Sequence, residues 1–209
     1  MKHRYIVVEG PIGAGKTGLV KRLAERLNAT TLLEDAGANP FLPQFYRDMR
    51  RHALPTQLFF LFQRVAQLEG LKQPDLFAKP TVADFMLAKD PLFARLTLDD
   101  NEFKLYRQIL DHVKPQVPVP DLVIYLQASV STLMHRVRKR GNPIESNLDE
   151  DYLQRLSEAY TRYFYNYDES PLLIVNSDRL NFVDVPEHLG LLIDRVSTMR
   201  GGREFFNRA

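Results

Sequence analysis

The 209-residue chain contains no cysteine, which excludes disulfide scaffolds, thiol nucleophiles and thiolate metal sites. It also has little charge of either sign in excess: 28 Lys and Arg against 26 Asp and Glu leave a net charge of +2. That is too small an imbalance for attraction to a phosphate backbone to be the main clue, so a nucleic-acid polymer is not the expected partner. Long hydrophobic runs are missing as well. The opening stretch MKHRYIVVEG holds a short apolar run, far below the roughly 20 residues of a membrane span and too short for a secretory leader. A cytoplasmic protein without membrane contact is the expectation.

What is present is the material of a packed globular domain, with 44% hydrophobic and 26% charged residues, and no internal repeat or second composition regime. One domain over 1–209 is expected. Apolar runs alternate with helical-period segments, the pattern of strand-helix crossovers in an α/β fold. The runs predict strands at Tyr5 to Val8, Thr31 to Leu33, Thr81 to Asp84, Leu122 to Leu126 and Leu172 to Val175, a five-stranded parallel sheet flanked by helices. Helices are predicted after the first strand (Leu19, Leu23, Leu27), from Thr56 to Gln73 with Pro55 opening it, and from the N-cap Asp99 through Val113. Further helices are expected over Ser131 to Arg140, Asp149 to about Tyr167, and Val185 to Met199.

Gly10-Pro11-Ile12-Gly13-Ala14-Gly15-Lys16-Thr17 matches G-x-x-x-x-G-K-[ST] between a predicted strand and a predicted helix. Glycines let successive backbone N–H groups turn inward around phosphate oxygens, and the helix N-terminus adds positive potential. Lys16 would reach the β- and γ-phosphates, and Thr17 would ligate Mg²⁺. A nucleoside triphosphate site follows, but not the acceptor of its phosphoryl group. A small-molecule kinase, a GTPase-like switch and a binding module without chemistry compete. Strand five runs into Asn176-Ser177-Asp178, without the lysine of the base-reading N-K-x-D motif of GTPases, which disfavours the switch.

Two further features favour phosphoryl transfer. Arg136, Arg138, Lys139 and Arg140 crowd a helix end at Gly141, and Arg136 and Arg140, four apart, are expected to aim at one spot. Such a cationic lid, over about 136–147, would close on the transferring group and exclude water; otherwise these cations merely complement a helix dipole. Glu34 and Asp84 fall at the C-terminal ends of strands two and three, the edge where open α/β sheets bind ligands. A carboxylate there could accept a hydroxyl proton or hold a metal ion.

Taken in order, GPIGAGKT, Glu34 with NPFLPQFYRD, TQLFFLFQR, VADFMLAKDPLFA, DLVIYLQA, and RVRKRGNPIE before DEDYL resemble the deoxyribonucleoside kinase family, in particular its bacterial deoxyadenosine and deoxyguanosine kinase branch. The resemblance implies a three-layer P-loop kinase fold and Mg²⁺-dependent transfer of the ATP γ-phosphate to the 5′-hydroxyl of a deoxyribonucleoside, with a lean toward purines. It makes Glu34 the catalytic base, with Lys16, Arg136 and Arg140 at the phosphoryl group and Mg²⁺ on Thr17 and Asp84. Tyr46 and Glu145 match the residues that hold the sugar 3′-hydroxyl. Gln57 matches the reader of the base edge, Arg64 and Asp90 a charged pair beside the base, and Phe93 the aromatic stacked on it. A homodimer through helices such as 56–73 and 99–113 is implied too.

There are departures from the family pattern. Asp84 is followed by Phe85-Met86 where Arg-Ser is common, with Lys89 the conjectured substitute for the arginine. Asn142 stands where another lid arginine often occurs, and Asp35 replaces a proline. Two alternatives remain: a thymidylate-kinase-like monophosphate kinase, for which Arg47, Arg50 and Arg51 would hold the acceptor's phosphate, and an ATP-binding module with weakened chemistry. The closing segment 201–209, with Phe205 and Phe206, is expected only to dock onto the body or a neighbour.

Overall fold

Every residue of Tyr5–Glu9 is buried, so this first strand, β1, is covered on both faces, as a central strand of a parallel sheet must be. A computed structural model describes residues 3–71 and 79–207. The order along the chain is β1, α1 (Lys16–Leu27), β2 (Thr30–Leu32), α2 (Leu42–Phe45), α3 (Met49–Glu69), β3 (Thr81–Ala83) and α4 (Asp90–Thr97). There follow α5 (Asp100–Val113), β4 (Leu122–Gln127), α6 (Val130–Arg140), α7 (Glu150–Tyr165), β5 (Leu172–Asn176), α8 (Pro186–Thr198) and β6 (Arg203–Phe206).

The strands form one sheet in the order β2-β3-β1-β4-β5-β6, every neighbouring pair parallel. The chain leaves β1 with β3 on one side and β4 on the other, which opens a crevice at the C-terminal end of β1. Ile6, Val7 and Val8 join Leu19, Leu23, Leu122, Ile124, Leu153, Leu156 and Leu173 in one contiguous core.

The sheet has six strands rather than the predicted five. The closing segment does dock onto the body, as β6 beside β5. Its four residues carry no apolar run and are held mainly by polar contacts. Glu204 accepts the backbone N–H groups of Arg200 and Gly201, both at 3.0 Å, and pairs with Arg195 at 2.9 Å. Arg203 donates to the carbonyls of Tyr165 and Tyr167.

The helix predicted to open at Pro55 begins six residues earlier, at Met49, with Pro55 inside it. The Asp48 carboxylate accepts the Arg51 N–H and caps it, and Ala53 in the added turns is fully buried. Tertiary packing thus outweighs the ladder bond that proline forfeits. The described helix ends at Glu69, and Gln73, its predicted end, lies outside the described residues. The helix from Asp99 is capped by a full capping box with Glu102. Two elements had no counterpart in the prediction, α2 and α4; both are short and begin at or next to a proline, so neither shows a long apolar stripe.

The loop between β1 and α1 lies directly on its neighbours. A Cβ on Gly10 would stand 2.6 Å from the Leu126 carbonyl oxygen, and one on Gly13 would stand 2.6 Å from that of Leu133, in α6. Gly13 also has φ +85°, a left-handed conformation that only glycine adopts readily. Gly13→Ala is therefore expected to lower the unfolding free energy by about 1–3 kcal/mol, read from urea denaturation followed by circular dichroism.

Candidate active site

The crevice at the end of β1 is a cleft of about 210 Å³. Lys16 and Thr17 line it from the start of α1, Glu34 from the loop after β2, and Tyr46, Gln57 and Arg64 from α2's C-terminus and α3. Asp84, Lys89 and Phe93 come from the β3–α4 region, and Arg140 and Glu145 from the end of α6 and the turn beyond it. These side chains come from widely separated segments because parallel strands deliver their following loops to one edge.

Asp84 joins the two sides of the cleft. Its Oδ2 accepts the Thr17 hydroxyl at 2.5 Å, and its Oδ1 accepts the Glu34 backbone N–H at 2.8 Å. Glu34 in turn receives Arg64 Nε at 2.6 Å, and Arg64 pairs with Asp90 through its other arm. A continuous hydrogen-bonded chain thus runs Thr17–Asp84–Glu34–Arg64–Asp90. Asp90 is fully buried behind Arg64 and does not itself line the cleft.

Burial would raise the Glu34 pKa, but the charges of Arg64 and Lys89 outweigh it and hold the carboxyl at about 2, against an ordinary 4.5. Burial raises Asp90 from 3.8 to about 6, with Arg64 opposing. Lys16 is lowered, by burial first and then by Lys89. Its Nζ donates to the carbonyls of Gly10 at 2.7 Å and Pro11 at 3.2 Å.

At the far end of the cleft, Gln57 donates weakly to Thr97 at 3.5 Å, while its Oε1 is buried without a partner; Asp90 Oδ2 also lacks one. Phe93 stands edge-on to Tyr160, ring centroids 6.1 Å apart. Tyr46 packs against Phe45, and Glu145 pairs with Arg140 at 2.5 Å.

The expectation that Arg136 and Arg140 meet at one spot is not met. Arg140 lines the cleft, whereas Arg136 turns to the loop after β5, donating to the carbonyls of Ser177 at 2.5 Å and Leu180 at 3.3 Å. Two accessible backbone carbonyls outcompete an open approach to the cleft. Two departures from the family pattern have local structural roles: Asp35 accepts the Ala38 N–H at 3.2 Å, and Asn142 accepts that of Ile144 at 3.1 Å. Phe85 is fully buried. Arg47, Arg50 and Arg51 are exposed and none lines the cleft, so a monophosphate's charge finds no support from them.

One residue went unnoticed in the sequence. Glu9, wholly buried at the end of β1, accepts the Met86 N–H at 2.8 Å, the Gly10 N–H at 3.2 Å and the Tyr160 hydroxyl at 3.0 Å. Its signal was a carboxylate closing an otherwise apolar strand directly before the first loop glycine.

Among the described residues no cluster of three or more His, Cys, Asp or Glu could hold a metal ion, and no helix is long and apolar enough to cross a membrane. The Thr17 hydroxyl and Asp84 carboxylate are hard oxygen donors. They suit a divalent cation completed by phosphate oxygens and water rather than by a protein cage.

Because the Glu34 pKa lies below its unfolded value, its contribution to stability is present above about pH 4.5 and is lost as pH falls toward 2. The stability gap between wild type and Glu34→Gln is expected to shrink by on the order of 3 kcal/mol as pH falls from about 4.5 toward 2. Urea midpoints across a pH series measure it.

A deoxyadenosine kinase of Lactobacillus acidophilus is 35% identical over 194 residues, 86% of this chain and 88% of its own. A deoxyguanosine kinase of Bacillus subtilis is 34% identical over 186 residues, covering 86% and 89%. A solved deoxyadenosine kinase of M. mycoides, with bound dCTP, shares the fold at a TM-score of 0.79, with 24% identity over 93% of this chain and all of that one. A family model described as deoxynucleoside kinase matches residues 6–199, and the chain belongs to the deoxynucleoside kinase family.

Proposed function

We propose that the protein transfers the γ-phosphoryl group of ATP to the 5′-hydroxyl of a purine deoxyribonucleoside. The observation that carries this reading is the bonded chain from Thr17 to Asp90. It sets a carboxylate, Glu34, between a phosphate-binding loop and the cleft-lining Gln57, whose Oε1 is buried without a partner. Buried acceptors without partners are costly unless a ligand supplies donors, and nucleobases carry such N–H groups. The deoxyadenosine and deoxyguanosine kinases among the relatives support the purine.

In this mechanism Glu34, ionised at neutral pH, takes the 5′-hydroxyl proton as the oxygen attacks the γ-phosphorus. Lys16 and N–H groups of the Gly10–Thr17 loop other than those of Gly10 and Ala14, which bond to Glu9 and Pro11, hold the donor phosphates. Arg140 swings from Glu145 toward the transferring group as the lid, about 136–147, closes; Arg136 secures the lid's base against the loop after β5. Mg²⁺, held by Thr17 and Asp84, would neutralise phosphate charge. Tyr46 and Glu145 hold the sugar 3′-hydroxyl, Gln57 with the Arg64–Asp90 pair reads the base, and Phe93 packs on its face. The chain acts as one domain in a cytoplasmic homodimer; Phe62 on α3 and Leu105 on α5, exposed by 50% and 46%, supply the apolar contact surface.

A panel of four deoxynucleosides and their monophosphates, with labelled ATP, tests the reading; purine deoxynucleosides are expected to be the best acceptors. Glu34→Gln is expected to cut kcat by about 10²–10⁴-fold while nucleoside affinity stays within a few-fold. With Tyr46 and Glu145 on the 3′-hydroxyl, 3′-deoxy analogues should lose at least tenfold in kcat/KM against 2′-deoxynucleosides. Equal efficiency would refute that sugar contact.

A further inference from the structure

Lys89 is a buried lysine, 2% exposed, that the mechanism above leaves unused. It ends the turn Leu87–Lys89 and lines the cleft with Lys16 and Glu34. Burying an ammonium group costs several kcal/mol unless close partners compensate. Its ion pairs are 3.3 Å to Glu34 Oε1 and 3.8 Å to Glu9 Oε1, both longer than the 2.7–2.9 Å usual for charge-assisted bonds.

Both carboxylates have other partners. Glu34 already has Arg64, and Glu9 already accepts three donors. An ammonium with three N–H donors therefore stands beside the proposed base, held loosely by two acceptors that have other partners. Lys16, from the loop that would bind phosphate, lines the same cleft.

We propose that Lys89 is a further catalytic residue, whose ammonium group binds the phosphoryl oxygens during transfer. This rests on the reading of the cleft as a deoxynucleoside kinase site. In the step, the bond from the 5′-oxygen to the γ-phosphorus forms and the bond from that phosphorus to the β–γ bridging oxygen breaks. The nucleoside diphosphate leaves with the electron pair, and the hydroxyl proton passes to Glu34. Once protonated, Glu34 attracts Lys89 less, just when charge is spread over the transferring oxygens. The ammonium group also lies 5.8 Å from the centre of the Phe85 ring.

The test compares wild type, Lys89→Met and Lys89→Ala in single-turnover and steady-state assays, with nucleoside binding measured separately by calorimetry. Lys89→Met should lower kcat by about 10²–10³-fold with nucleoside Kd within threefold, and propylamine should restore Lys89→Ala saturably. A Lys89→Met enzyme within fivefold of wild-type kcat overturns the assignment. So does a parallel loss of kcat and nucleoside affinity. If Lys89→Met does not fold, the Lys89→Ala rescue decides: restored turnover supports the role, and none overturns it. A wild-type protein that phosphorylates no deoxynucleoside overturns the underlying reading instead, so the two failures are distinct.

Discussion

The carboxylate of Asp84 is the contact on which the site's geometry depends. With one oxygen on the Thr17 hydroxyl and the other on the Glu34 backbone, it ties the phosphate loop to the β2 loop across the end of β3. Asp84 is 2% exposed, so both bonds lie where water competes weakly and each is correspondingly directional. The reach of every later member of the chain, Glu34 to Arg64 to Asp90, is set from that point.

The charge pattern follows. Glu9, Glu34, Asp84 and Asp90 face Lys16, Arg64 and Lys89 in one buried cluster. Such a cluster is weak evidence for stability, since well-packed apolar residues of similar volume often do as well or better. Its use is preorganisation: groups held before substrate arrives need not reorient as charge develops. The near-zero net charge thus conceals strongly opposed local fields.

Packing supports the arrangement from behind. Tyr125, Tyr160 and Phe164 stack beneath the sheet's end, and Tyr160 reaches Glu9 through its hydroxyl. The aromatic layer therefore both fills the core and anchors a carboxylate next to the phosphate loop. The same economy holds at Gly10 and Gly13, where the loop can lie on β4 and α6 only because no Cβ intervenes.

Much of this was legible in the chain itself. The loop from Gly10 to Thr17 declares itself because backbone curvature and phosphate chemistry both constrain local residue types. The strands β1, β4 and β5 show as apolar runs because both sheet faces are covered. The start of α3, the strand β6 and the direction of Arg136 were decided by tertiary structure: Ala53 packing, the polar anchors of Glu204 and Arg203, and the carbonyls of Ser177 and Leu180. So was the meeting of Glu9, Glu34 and Lys89, residues far apart in sequence. The sequence determined which chemical groups exist and where the phosphate loop lies; distances between charges on separate loops exist only once the sheet has brought its strand ends together.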